Sequence, residues 1–159
     1  MLVSITIVSY AAGGVIFSRY YGHELHTERQ QAEWLKKLRD ATALHWPLLK
    51  EDNPEQVATI GEVQVMYKLL GDVVLLLAGV EEHDALLMLE LARAMTAAIR
   101  AACHVPENKQ GETRASAERR ILQNYASLCL IVDEMVDDGD IDHLDPKVIL
   151  KLIKMRPSR

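Results

Sequence analysis

Val63-Gln-Val-Met-Tyr-Lys-Leu-Leu-Gly-Asp-Val-Val-Leu-Leu-Leu-Ala-Gly-Val80 is the stretch on which the fold turns. Val63, Val65 and Tyr67 alternate with Glu62, Gln64 and Lys68, the period of two expected of a strand. Gly71-Asp72 signals a turn. Val73 to Val80 is an unbroken apolar run with charge beyond it, too short for a typical buried helix and suited to a central strand covered on both faces. Strands joined by so short a turn run antiparallel, because a parallel pair needs a long crossover.

Working upstream, Leu2, Ser4, Thr6 and Val8 alternate with Val3, Ile5 and Ile7, and β-branched residues dominate. Tyr10-Ala-Ala-Gly-Gly14 supplies a turn, Val15–Tyr21 a second β-rich run, and Gly22 closes a hairpin over residues 2–21. Thr27 and Gln30 form a capping box for a helix whose face carries Trp34, Leu38 and Ala41. Pro47 and Pro54 bracket a loop. The strand pattern returns from Val57, and the stretch Leu48–Ala58 has room for one further strand.

Downstream the chain turns helical. Leu87, Leu91, Met95, Ala98 and Ala102 predict a helix from about Glu82 to His104, with Arg100 and His104 in its last turn and Pro106 as its stop. After a polar linker, Glu107–Thr113, the residues Ile121, Tyr125, Leu128, Val132 and Met135 predict one helix running to Gly139 as its C′ residue. Residues 128–132 are apolar nearly all round, so this helix is expected to be covered on more than one side. Asp145-Pro146 opens a last helix through about Met155. The order β-β-α-β-β-α-α-α predicts an α+β fold, an antiparallel sheet with helices packed on it. One domain, 1–155, and a short basic tail, 156–159, are expected.

Composition narrows the function. Of 159 residues, 49% are hydrophobic and 26% charged, and the net charge is −5, which argues against a nucleic-acid partner. The two cysteines, Cys103 and Cys129, form no CxxC pair and suit a reducing cytosol. The apolar N-terminus, Met1 to Phe17, lacks a basic start and is interrupted by Ser4, Thr6, Ser9 and Gly13-Gly14. No run of apolar residues reaches transmembrane length, so a cytoplasmic protein is expected.

Candidate chemistry fails on spacing. His23 and His26 stand three apart, not the four of a helical zinc pair, and no third ligand accompanies them. Asp138, Asp140 and Asp142 alternate like the start of a calcium loop, yet His143 and Ile149 fall where the loop needs Gly and Glu. Cys103 and His104 are sequence neighbours that a helix points about 100° apart. Cys129 reads as a small buried hydrophobe. Nucleophile and phosphate-loop motifs are absent. Lys147, Lys151, Lys154, Arg156 and Arg159 read as a solvated face and tail. The residues thus predict no catalytic, metal or cofactor site. They name no partner.

Four strings carry a resemblance that does: Arg19-Tyr20-Tyr21; Val65-Met66-Tyr67-Lys68 with Asp72; Leu75-Leu76-Leu77-Ala78-Gly79; and Leu130-Ile131-Val132-Asp133-Glu134-Met135-Val136-Asp137-Asp138-Gly139 with Asp145-Pro146 and Val148. Over residues 2–153 the chain resembles the small-chain family of vesicle coats, the zeta subunit of coatomer and the sigma chains of clathrin adaptors. Tyr20-Tyr21, the Val-Asp-Asp-Gly ending and Asp145-Pro146 are similar to zeta. Sigma chains tend to carry a basic residue in the second strand that helps read a dileucine cargo signal, and Val15 stands there. His83-Asp84-Ala85-Leu86 departs from the family's usual Asn-Glu-Leu.

The resemblance implies a longin-like five-stranded antiparallel sheet flanked by α-helices. It implies a structural, non-enzymatic subunit without cofactors, seated in a large gamma-type subunit of the COPI coat. That coat is recruited by a small GTPase and works in Golgi-to-endoplasmic-reticulum and intra-Golgi transport, so the chain would be cytoplasmic and peripheral to Golgi membranes. The alternatives are a sigma chain, another longin-type trafficking scaffold, or a small enzyme whose site the sequence hides. Tyr67 and Lys68, with Tyr20 and Tyr21, are the expected partner contacts, since exposed Tyr and basic side chains suit interfaces.

Overall fold

The computed structural model describes residues 1–22, 24–50, 52–80, 85–106 and 116–155. Its sheet is built around β5 (Val73–Gly79), every residue of which is buried. β5 pairs antiparallel with β1 (Leu2–Ser9) on one side and with β4 (Val63–Leu70) on the other. β2 (Val15–Tyr20) and β3 (Gln56–Ile60) are the edges, giving the five-stranded order β2-β1-β5-β4-β3. This is the expected antiparallel α+β architecture, and it explains the unbroken apolar run. A strand covered on both faces has no polar side to show.

One face, with Ile5, Ile7, Leu75 and Leu77, lies under α2 (Ala85–Ala102), α4 (Tyr125–Met135) and α5 (Pro146–Met155). Leu128, Ile131, Val132 and Met135 of α4 are all fully buried there. The other face, with Val65, Tyr67, Val74 and Leu76, is covered by α1 (Glu28–Thr42) and a 3-10 helix over Ala43–Leu48. The Thr27/Gln30 capping box starts α1 as the sequence predicts. Trp34 and Leu38 are its buried residues, and the Trp34 indole N–H donates to Ser4 Oγ at 2.9 Å, satisfying a hydroxyl inside the sheet.

Four expectations change. The fifth strand occupies Gln56–Ile60, at and beyond the end of the stretch that had room for it, while Ala43–Leu48 winds as a 3-10 helix through Pro47. The single helix expected before Gly139 is broken at Asn124 into α3 (Ala117–Gln123) and α4. Asn124 sits at φ −119°, ψ 33°, and its amide donates to Arg120 O at 2.8 Å and Cys103 O at 3.4 Å. A short polar side chain here competes with the helical ladder.

Third, α4 stops at Met135. Gly139 is not its C′ residue but part of the turn between β6 (Val136–Asp137) and β7 (Asp140–Ile141). Asp138 and Gly139 both have positive φ, 46° and 89°, as the two-residue Asp-Gly hairpin turn requires. Fourth, His104 lies past the last turn of α2 at φ 57°, a left-handed cap, and the next amide, Val105 N–H, donates to Arg100 O at 3.0 Å. Asp145 caps α5 as expected, its Oδ1 accepting from Lys147 N–H at 2.9 Å. Glu82, the linker 107–113 and the tail 156–159 lie outside the described residues.

The β6–β7 turn is also a joint, since Leu2 N–H donates to Gly139 O at 2.8 Å. A Cβ on Gly139 would meet Leu2 O at 2.9 Å, whereas one on Gly61, at φ 59°, would meet nothing within 4 Å. Gly61→Ala is therefore expected to cost only the left-handed strain of roughly 1–2 kcal/mol. Gly139→Ala should cost about 3 kcal/mol or more, because a backbone contact must also shift. Urea unfolding of the two variants measures the difference.

Candidate partner-binding surface

The expected contact residues begin on β4. Tyr67 sits opposite Leu76 of β5 and Gln56 of β3, facing α1. Its ring is only 2% exposed, so the expectation of an exposed tyrosine is corrected. The 3-10 helix lies over it, with His45 Nδ1 3.0 Å from the phenol oxygen, and burial raises the phenol pKa above its ordinary value. Lys68 points to the opposite face and is not free either. Its Nζ lies 3.5 Å from Glu55 Oε1, and the same oxygen is 3.7 Å from Arg93 Nε on α2. The Glu55 side chain is 3% exposed, so this carboxylate ties the start of β3 to β4 and α2.

Tyr20 and Tyr21 stand at the far edge. Tyr20 pairs with Ser4 and packs on the α1 side, while Tyr21 packs on the helical side, each half-buried. Burial first, then the Asp133 carboxylate, pushes the Tyr21 phenol up to about 12, with Arg19 opposing. Arg19 Nε is 3.9 Å from Asp133 Oδ1, and its guanidinium lies 4.9 Å over the Phe17 ring. Phe17 in turn meets Tyr125 edge to face at 6.0 Å. The Arg-Tyr-Tyr string thus fastens β2 to α4. Since β2 and β4 are separated by two strands and the four residues alternate faces, they form no single patch.

Exposed apolar surface lies elsewhere. Leu44 (89%) and Leu48 (72%) stand out from the 3-10 helix, and Val57 (56%) from the edge strand β3. Sequence reading missed the two leucines because they fall around Pro47, between the Trp34-Leu38-Ala41 helix face and the strand pattern from Val57, where no element was expected. Their signal was a pair of leucines off the Trp34-Leu38 face of α1. Val15 on β2 is 40% exposed.

Of the acids in the 133–145 segment, Asp133 pairs with Arg19 and Asp145 caps α5, while Asp137 and Asp140 stand opposite each other, exposed, across the small hairpin. Among the described residues no three His, Cys, Asp or Glu side chains gather as metal ligands. His23 lies outside them. Cys103 is fully buried, with Sγ 3.9 Å from Asn124 O, and burial pushes its thiol up to about 11, away from thiolate chemistry. Cys129 is half-buried, not buried, packing on the margin of the helical core beside the α4 face that holds Leu128 and Val132. Lys147, Lys151 and Lys154 are exposed along α5. No helix among the described residues is long and apolar enough to cross a membrane.

The geometry is that of a scaffold whose polar side chains join elements. A family model, clathrin adaptor complex small chain, matches residues 1–159. The chain belongs to that family. Among proteins similar to this small chain is a TSET complex member, tstD, of Dictyostelium discoideum, 23% identical over 143 residues, or 90% of this chain and 86% of that protein. A chain in a homology model of the full-length AP-3 complex in a stretched open conformation shares the fold. The TM-score is 0.58 at 15% identity, over 97% of this chain and 92% of that one.

Glu55→Ala should destabilise by about 2–3 kcal/mol, since it strands the half-buried Lys68, while Arg93→Ala, removing a partner 64% exposed, should cost under about 1 kcal/mol. Denaturation midpoints test both. Cys103 holds its proton more tightly when folded, from an ordinary 9.0 to about 11. Its contribution is therefore intact below pH 9 and lost as pH rises from about 9 to 11. Stability of Cys103→Ala should fall less steeply than wild type across that window.

Proposed function

We propose that this chain is a non-catalytic small subunit of a vesicle coat, holding the shape of a large helical subunit in membrane traffic. The observation that carries the reading is a small-chain family match over the whole chain, on a sheet whose two faces are both closed by its own helices. Such a fold leaves strand edges, strand ends and helix exteriors for partners. The subunit would be cytoplasmic and reach membranes through the assembled coat and its recruiting GTPase.

Two coats are in view. The strings Tyr20-Tyr21, Asp137-Asp138-Gly139 and Asp145-Pro146 favour coatomer zeta, with gamma-coatomer as partner and Golgi-to-endoplasmic-reticulum traffic as the task. The 23% identity to a TSET complex member, and the fold shared with an AP-3 chain, favour an adaptor-type complex with its own large subunit. A sigma-type role in cargo binding is weakened by Val15 in place of a basic residue.

Affinity purification of the tagged chain with mass spectrometry decides. Stoichiometric coatomer subunits establish zeta; large adaptor chains establish the second reading; neither rejects coat membership. For the contact residues, we place the partner beside Lys68 on the β3–β4 edge and beside Tyr20 on β2, with Tyr67 acting from the core. Lys68→Glu and Tyr20→Ala, each checked for folding, should lower recovery of the large subunit severalfold. Unchanged recovery removes both contacts.

A further inference from the structure

A cavity of about 480 Å³ opens where the start of β1, the end of β2 and the start of β4 meet α1. That volume sits within the roughly 300–1,000 Å³ typical of ligand pockets. Its walls are apolar: Val3, Leu25, Trp34, Val63 and Val80, with Tyr21 beside them. They are also fixed. Trp34 is held through its indole to Ser4 Oγ at 2.9 Å, and Tyr21 N–H to Val3 O at 2.9 Å. Leu25 is pinned twice, its N–H donating to Gly22 O at 3.1 Å and its carbonyl accepting from Gln31 Nε2 at 2.9 Å. A preformed pocket spares a ligand the cost of ordering it.

Two carboxylates line the same cavity. Glu24 and Glu62 are both exposed, and neither has a hydrogen-bond or ion-pair partner among the described residues. Acids beside an apolar hole repel anionic and acidic ligands, and they attract a cation held next to a hydrophobe. A second copy of this chain, at net charge −5, is disfavoured for the same reason.

We propose that this pocket receives an apolar side chain from an extended protein segment that carries lysine or arginine beside it. The apolar side chain fills the space against Trp34 and Leu25, and the basic neighbours reach Glu24 and Glu62 at the rim. The site lies at the Glu62–Val63 end of the β3–β4 hairpin, while Lys68 stands five residues further along β4. The site requires no particular coat.

The test uses the full ¹⁵N-labelled chain and a blocked octapeptide with Leu-Leu between two lysines. Saturable shifts are expected at the Trp34 indole and at the amides of Gly22, Leu25 and Val63. Exchanging the lysines for glutamate, or the leucines for alanine, should abolish them. Glu24→Gln/Glu62→Gln should weaken the lysine peptide about fivefold, as two exposed ion pairs imply, without moving the thermal midpoint. Equal binding of the glutamate peptide, shifts scattered over the acidic 133–145 segment, or no shift at millimolar peptide would overturn the proposal. Such a failure with coat subunits still co-purifying rejects the pocket and leaves the coat reading intact.

Discussion

The fold depends on the burial of β5 from both sides while its backbone is paired on both edges. Val73, Leu75 and Leu77 point to one core and Val74, Leu76 and Ala78 to the other, so one strand belongs to two hydrophobic clusters. Its backbone pairs with β1 and β4, so little desolvation of unpaired amides and carbonyls offsets the gain from apolar burial. A strand so placed obliges helices to cover both faces. α1 and its 3-10 extension close one, and α2, α4 and α5 the other. With both faces closed by the chain itself, partners are left the strand edges, the helix exteriors and the strand ends.

Much of this was legible. Period-two alternation in Leu2–Val8 and Val63–Lys68, a turn at Gly71-Asp72 and a capping box at Thr27 each state a local preference that the tertiary structure keeps. Failures came where a local signal had two readings. Asp138-Gly139 fits a helix C-terminus as well as a hairpin turn, and only docking of the turn on Leu2 decides between them. Asn124 sits within a helical period, yet its amide finds Cys103 O on another element, a contact no local pattern reveals.

The contact residues were less legible because exposure is a property of layers, not of one strand. Tyr67 lies at a position that alternation assigns to one face, and alternation says nothing of whether a helix lies on that face. The 3-10 helix does, through His45. Lys68 is absorbed by Glu55, which no spacing rule connects to Arg93 on α2. Conversely, the cavity at Trp34 gathers residues from five separate segments, so only the assembled sheet could show it.

The strings that carried the resemblance turn out to be the joints of the fold. Arg19 reaches Asp133 and Phe17, Tyr21 lies beside Gly139, Gly139 accepts from Leu2 N–H, and Asp145 caps α5. Joints are dictated by how β2, α4 and the β6–β7 hairpin must meet, and any coat built on this scaffold faces the same demand. The same residues therefore identify the scaffold well and the coat poorly. What distinguishes one assembly from another must lie on side chains that the fold leaves free, such as Leu44, Leu48, Val57 and Val15, or Glu24 and Glu62 at the mouth of a preformed pocket. Those positions answer to a partner's shape and charge and not to the sheet, so the identity of the complex is a question about its exterior.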